Sequence, residues 1–313
     1  MIKQGSELFA GKFDTKKVII ITFTAIYFTA VIEFHLIISN FVTFPQDFGL
    51  FEIRPRNLAF TGSLIVLFII LLFLVQKFAK GYNRLLTTTY WIISLIFMVI
   101  IQKVLMVHPI EIAHYFQYAI GAILVSKVFD PSANKFSFFE SFTITALIGT
   151  FDEFYQFFYH CPAYCRYLDW MDIWMNIIAA GLGALFVYGY RPYPKESVSK
   201  ARSFIRYFYF LIASIYLMGF VLFKVGTLIF YTLEKIPPGG IIIKDGFKIV
   251  LEREIGVYNS WQKTFHTGYF YVPGPEMGIV VILLLILLYT AFDPDVQNSV
   301  IRIFRNKDET EAN

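Results

Sequence analysis

Long, largely apolar runs constrain the fold of this chain more than any other feature. The run from Val18 to Ile38 and the run "MGIVVILLLILLYTAF" near the C-terminus approach the roughly 20 residues needed to cross a bilayer. The 313 residues are 57% hydrophobic and only 16% charged, whereas a soluble domain of this length carries more charge. The first run is also too long for the apolar part of a cleaved signal peptide. The sequence therefore predicts an all-α integral membrane protein.

Hydropathy predicts a bundle of about eight transmembrane helices. Their predicted positions, each end good to about two to four residues, are 18–38, 59–78, 86–106, 109–129, 138–160, 170–190, 204–230 and 277–292. We divide the chain into an N-terminal three-helix segment (1–108), a three-helix core (109–190) and a C-terminal two-helix segment (191–313). Neither an internal repeat nor a low-complexity segment interrupts this pattern.

The distribution of Lys and Arg predicts how the bundle is oriented. Eight spans place both termini on one side, and that side carries most of the basic residues. The opposite short loops carry only Arg54, Arg56, Lys103 and Arg166. Because cytoplasmic loops are enriched in Lys and Arg, both termini are predicted to be cytoplasmic, in a cytoplasmic (inner) membrane. The net charge of +4 is small, and the basic residues lie mainly on one side of the predicted bundle, so no nucleic-acid partner is expected.

The loop 231–276 is the one sizeable polar piece, and the topology makes it extracytoplasmic. Within it, "GGIIIKDGFKIVLE" contains two β-branched runs joined at an Asp-Gly pair, which predicts a small β-hairpin. An aromatic stretch containing Trp261, Tyr269 and Tyr271 follows. We expect this stretch to lie against the outer membrane face or to cap the bundle.

Polar residues collect at the predicted outer ends of three helices of the core. They are Glu111, His114 and Tyr118, then Asp152, Glu153 and Gln156, and finally Asp169, Asp172 and Asn176. The last three have the i, i+3, i+7 spacing of a single helix face. Because polar groups facing lipid are costly, each set is expected to face the bundle interior or a wet pocket. Five carboxyl groups face a single permanent positive charge, Arg166. Unless His114 or His160 is protonated, some of the carboxyl groups must hold protons, or a cation or positively charged ligand must bind among them.

A structural interpretation of the same residues stays open. Carboxylates are favourable at helix N-termini, where Asp169 and Asp172 lie, because they cap free N–H groups and oppose the helix dipole. Arg166 would then only fix its loop by pairing with one of them.

These residues resemble the VanZ-like membrane proteins. The resemblance rests on His114 with Tyr118, on Asp152-Glu153-x-x-Gln156, on Arg166, and on Asp172-x-x-x-Asn176 followed by glycines. It covers residues 111 to about 187, and Ala179 stands where the family has Gly. The resemblance implies a bacterial cell-envelope protein, since the namesake is associated with low-level teicoplanin resistance in Gram-positive bacteria. It implies no particular reaction.

Two other constellations bear on cofactors. His160-Cys161-x-x-x-Cys165 is a weak zinc pattern, because the cysteine spacing is not that of a structural zinc pair. A local disulfide or two free thiols are the alternatives. The five histidines (35, 108, 114, 160 and 266) leave haem or chlorin ligation open, although no C-x-x-C-H motif is present. The cofactor is therefore unknown from sequence.

Two functional hypotheses follow. In the first, a polar pocket in the outer leaflet binds a membrane lipid or a lipid-linked cell-wall component. If the protein is an enzyme, it also modifies this ligand. Arg166 would hold an anionic head group, with His114 and Asp152 or Glu153 as acid and base. Asp169 and Asp172 would orient these groups or hold a divalent cation, with Gln156, Asn176, Glu111 and Tyr118 lining the pocket. In the second, the chain is an accessory or scaffold subunit of a larger membrane complex.

Overall fold

A computed structural model provides the architecture of most of the predicted core. It describes residues 15–43, 74–79, 81–82, 84–105, 109–132, 136–160, 165–192, 221, 225–229, 241–242, 248–263 and 269–293. The described part is mostly helical, with two small β-sheets.

Six long helices account for most of the described residues. In chain order they are α1 (Thr15–Thr43), α2 (Arg84–Val104), α3 (Ala113–Phe129), α4 (Phe138–Tyr155), α5 (Trp170–Tyr188) and α6 (Pro275–Thr290). A short turn, Pro109–Ile112, precedes α3, and a single wider turn, Gln156–His160, extends α4. Each helix overlaps one predicted span. The predicted spans 59–78 and 204–230 lie largely outside the described residues, although 74–79 is helical.

Three of the described helices are long and apolar enough to cross a membrane. They are Thr15–Phe34 within α1, Arg84–Val104 and Trp170–Tyr188, and the shorter Pro275–Thr290 is also apolar. The helical class and the compatibility with a membrane are therefore confirmed. The total of eight spans stays a prediction.

Helix α5 is the centre of the bundle and packs against α2, α3, α4 and α6. Small residues along it allow this close packing. A Cβ atom on Gly183 would lie 2.2 Å from the backbone oxygen of Ala119 in α3. At Gly181, the ring of Tyr289 from α6 occupies the corresponding space. Only small side chains permit helix backbones to approach this closely.

Helices α1 and α2 lie at the edge of the bundle and leave much apolar surface uncovered. In α1, Thr24, Phe28 and Val31 form the buried stripe, whereas Phe23 and Ile26 are about three-fifths exposed, at 59% and 61%. The buried positions follow the i, i+4, i+7 spacing of one helix face. Hydrocarbon lipid would cover the exposed face without any polar penalty.

Two small β-sheets accompany the helices. The first consists of β1 (Leu228–Ile229), β2 (Ile241–Ile242) and β3 (Lys248–Val250), and the second of β4 (Ser260–Lys263) and β5 (Tyr269–Val272). The antiparallel pairing of Ile241 with Ile249 confirms the predicted hairpin. Its Asp-Gly turn lies outside the described residues.

We predict that replacing Gly183 by Leu destabilises the bundle by about 1–3 kcal/mol, the usual cost of overpacking a core. The clash with the Ala119 backbone can be relieved only by separating α3 from α5. The measurement is the apparent melting temperature in detergent. Val99→Ala, on an exposed face of α2, is the control and should leave that temperature nearly unchanged. Equal melting temperatures for Gly183→Leu and wild type would contradict the described helix packing.

Candidate functional site

Helices α3, α4 and α5 bring six of the predicted site residues into one buried cluster. We call it the polar cluster and define it as His114, Tyr118, Asp152, Glu153, Asp172 and Asn176. His114, Asp152, Glu153 and Asn176 are each at most 5% exposed, and Tyr118 is fully buried. The cluster forms because each helix has its polar residues on the face that packs against the other two, as the spacings predicted.

The amide of Asn176 lies at the centre of the polar cluster. Its Nδ2 donates to the backbone oxygen of Gly149 at 3.1 Å and to Oε1 of Glu153 at 2.8 Å. Its Oδ1 is 2.9 Å from Nδ1 of His114. A Cβ atom on Gly149 would be only 2.7 Å from Cβ of Asn176. The glycine therefore allows α4 to approach α5 closely enough for these bonds.

These bonds determine which nitrogen of His114 carries the proton. Because both hydrogens of the Asn176 Nδ2 group are used, its Oδ1 must accept, and His114 Nδ1 must donate. A neutral His114 then keeps a lone pair on Nε2. The same Nδ1 lies 3.7 Å from Oε1 of Glu153. A histidine so oriented beside a carboxylate has the features of a general base or a metal ligand.

A second bond completes the packing between α3 and α4. The hydroxyl of Tyr118 donates to Oδ2 of Asp152 at 2.5 Å, and the rings of Tyr118 and His114 stack with centroids 6.3 Å apart. The other carboxyl oxygen of Asp152, Oδ1, is shielded from solvent and accepts no hydrogen bond from the described residues. Asp152 therefore has a buried carboxyl oxygen that can still accept a hydrogen bond.

The two aspartates at the start of α5 have different surroundings. Asp169 caps the helix, because its Oδ1 accepts from the backbone N–H of Met171 at 2.9 Å. Asp172 is partly exposed and offers a carboxyl oxygen within 4.8 Å of ligand atoms of His114 and Glu153. The capping interpretation thus describes Asp169, whereas Asp172 connects the polar cluster to the surface.

Glu111 and Gln156 lie beside the polar cluster, on the turns that flank its helices. Both side chains are partly buried, Glu111 in the turn before α3 and Gln156 in the wider turn after α4. Burial, followed by the charges of Asp169, Asp172 and Glu111, raises the pKa of the Tyr167 phenol. Tyr167 therefore lies among these carboxyl groups near the N-terminal end of α5.

Arg166 binds the long loop rather than an aspartate of the core. Its Nε and Nη2 donate to the carboxylate of Glu254, the latter at 2.8 Å, and Nη2 is 3.3 Å from Oε1 of Gln262. The side chain is 44% exposed. The sequence suggested that Arg166 pairs with Asp169 or Asp172. In the structure it pairs with Glu254 instead.

A buried arginine that the sequence did not single out lies close by. Arg253 is 7% exposed, donates to the backbone oxygens of Phe157 (2.8 Å) and Cys165 (3.3 Å), and stacks 3.8 Å above the Phe157 ring. Its only signal in the sequence is its place in a run of three charged residues, 252–254, shortly after an apolar strand. Its partners are more than eighty residues away, and no local pattern reveals such a contact.

The long loop is joined through its backbone to the segment that precedes α5. Leu168 N–H donates to the oxygen of Leu251 at 3.0 Å, and Arg253 N–H donates to the oxygen of Arg166 at 2.8 Å. The hydroxyl of Tyr258 donates to the oxygen of Leu168 at 3.1 Å. These contacts place loop residues next to the start of α5.

The thiol-based zinc alternative is incompatible with the structure. Cys165 is disulfide-bonded, so it offers no thiolate for a metal. The only other cysteine, Cys161, lies outside the described residues. Of the histidines, His160 lies 3.8 Å from Glu33 of α1, and His114 belongs to the polar cluster. The side chains of His35, His108 and His266 lie outside the described residues.

Known proteins give no independent guide to this site. No family model matches the sequence, and no curated protein or solved structure is significantly similar to it.

We predict that Asp169 makes stability depend on pH near neutrality. Burial and the neighbouring Asp172 raise the pKa of Asp169 to about 8, above its value in the unfolded chain. Its stabilising contribution is therefore fully present below the unfolded pKa of about 4 and is lost progressively as the pH rises to about 8. The melting temperature should fall between about pH 5 and 8 in the wild type and fall less in Asp169→Asn, which still caps the helix. Parallel curves for the two proteins would contradict the assignment.

Proposed function

We propose that this is a polytopic cell-envelope protein of about eight transmembrane helices whose polar cluster opens to the outer leaflet. There it binds a lipid or lipid-linked cell-wall component and, if the protein is an enzyme, modifies it. The observation that carries the proposal is that one amide, Asn176, holds His114 and Glu153 together beside the partly exposed Asp172. Ionisable groups inside a membrane bundle generally serve a function, and an oriented histidine beside a carboxylate can move protons.

The orientation of the proposal has two supports besides the distribution of Lys and Arg. Disulfides persist in oxidising compartments outside the cytoplasm, and Cys165 next to the site is disulfide-bonded. The aromatic residues Phe151, Tyr155 and Tyr159 also form a stacked row along α4 and its last turn. Phe151 and Tyr159 are 60% and 74% exposed. Exposed aromatic rows favour the boundary between lipid and water, the depth of a lipid head group.

Arg166 supports an anionic ligand. It lies in the loop over the core, and its Nη1 makes no hydrogen bond to a described residue although Nε and Nη2 are held by Glu254 and Gln262. A guanidinium held in place with donors to spare suits a phosphate group. The resemblance to VanZ-like proteins, also part of the proposal, agrees with a cell-envelope ligand.

The alternative function, a scaffold subunit, is favoured by a different surface. On the β4–β5 hairpin, Phe270 and Val272 are buried, whereas Trp261 and Tyr269 on the opposite face are 60% and 68% exposed. Exposed aromatic groups outside the hydrocarbon region suit contact with another protein. In this alternative the polar cluster would only hold the helices in position.

Mass spectrometry of the protein purified in mild detergent tests the proposal. We predict one phosphate-bearing lipid or lipid-linked precursor enriched over the bulk membrane lipids. Its enrichment should fall about tenfold in Arg166→Ala, because a charge-assisted hydrogen bond contributes about 1.5–3 kcal/mol. If the site is enzymatic, His114→Ala should retain a lipid of altered mass. Arg84→Ala, which removes an exposed arginine of α2, is the matched control.

Two results would contradict the proposal. One is a wild-type lipid composition equal to that of the membrane, and the other is an enrichment unaffected by both Arg166→Ala and His114→Ala. A stoichiometric partner protein in place of a lipid would support the scaffold function.

A further inference from the structure

We propose that His114, Glu153 and Asp172 bind a divalent cation, of the class that accepts imidazole and carboxylate ligands together and represented by Zn²⁺. Each residue offers one ligand atom, and these atoms all lie within 4.8 Å of one another. They come from three different helices, α3, α4 and α5. In a tetrahedral zinc site, ligand atoms about 2.0–2.2 Å from the metal lie about 3.4 Å apart. Small side-chain rotations therefore suffice to close the site.

The ligand types favour this class of cation. One imidazole nitrogen with two carboxylates is a set that zinc accepts, and catalytic zinc sites commonly use three protein ligands and keep a fourth position open. Ca²⁺ and Mg²⁺ prefer oxygen ligands only. Asp172 is the partly exposed ligand, so the open position would lie toward the surface.

Two buried carboxyl oxygens point independently to a cation. Oδ1 of Asp172 and Oδ1 of Asp152 are both shielded from solvent, and neither accepts a hydrogen bond from the described residues. Asp152 is 0% exposed. Leaving a buried carboxyl oxygen without a partner is costly. A cation at the proposed site would supply a partner for the Asp172 carboxylate.

The charge balance points the same way. Within the described residues, the arginine ion pairs are Arg166 with Glu254 and Arg191 with Asp130. Neither includes Asp152, Glu153 or Asp172. Three carboxyl groups thus share one region of low dielectric in which the described ion pairs supply no basic partner except His114. A divalent cation would allow these carboxyl groups to be ionised together.

The surroundings of the ligands resemble the support that metal sites require. Metal-binding histidines generally donate their other ring N–H to an acceptor, and ligating carboxylates are themselves hydrogen-bonded. Here Asn176 accepts from His114 and donates to Glu153. Asn176 is therefore a positioning residue for two ligands, which explains why one amide contacts both.

A bound cation would deepen the proposed function, and this role rests on that proposal. A cluster of carboxyl groups repels an anionic head group, whereas a cation with an open position attracts a phosphate oxygen and polarises it. Cation binding itself can be measured without any lipid.

The test uses the full chain in detergent, stripped of metal with a chelator and titrated with ZnCl2 at pH 7. We expect one Zn²⁺ per chain by elemental analysis of the dialysed protein, and X-ray absorption should report one nitrogen and two oxygen protein ligands. His114→Ala and the nearly isosteric Asp172→Asn should each weaken binding by more than about tenfold. His160→Ala, which removes a histidine outside the polar cluster, should still bind one equivalent.

The outcomes separate this inference from misfolding and from the proposed lipid function. The elution volume and the melting temperature without metal show whether each variant is folded. If His114→Ala does not fold, zinc binding by Asp172→Asn decides the outcome. No zinc bound by the wild type, equal binding by Asp172→Asn, or binding of Ca²⁺ or Mg²⁺ in place of Zn²⁺ would overturn the assignment. One zinc per chain without an enriched lipid would sustain the metal site and count against the lipid function.

Discussion

The side-chain amide of Asn176 joins three helices at a single buried point. It is a residue of α5, donates to two groups of α4 and accepts from His114 of α3. These groups are buried, and a buried polar group that loses its partner is costly, so each of them depends on the others. The positions of His114 and Glu153, and with them the chemistry available to the site, follow from this one residue.

The packing of α5 is what makes such an arrangement possible. Its small residues let α3 and α6 approach, with Gly183 against the Ala119 backbone and Gly181 against the Tyr289 ring. At the N-terminal end of the same helix, Asp169 accepts from the N–H of Met171, and the long loop bonds to Leu168 through Leu251 and Tyr258. One helix therefore combines close apolar packing with a polar end, and the transition occurs within about two turns.

Local patterns predict much of this architecture because helical periodicity and polar spacing are properties of neighbouring residues. The helix positions of the core, the convergence of His114, Asp152, Glu153 and Asn176, and the first hairpin could be predicted in this way. The difference between Asp169 and Asp172 could not, since both are favourable at a helix start. The partner of Arg166 and the burial of Arg253 depend on contacts more than eighty residues away. No periodicity encodes such contacts, which form only when the loop packs against the core.

Coupling through Asn176 can be measured most directly with a double-mutant comparison. Asn176→Leu should lower the melting temperature strongly in the wild-type background, because it removes the hydrogen bonds of the amide to His114 and Glu153. In a background that already carries His114→Phe and Glu153→Met, the same substitution should cost much less, because neither of these two hydrogen bonds is present there. An equal loss of melting temperature in the two backgrounds would contradict the central role of this amide.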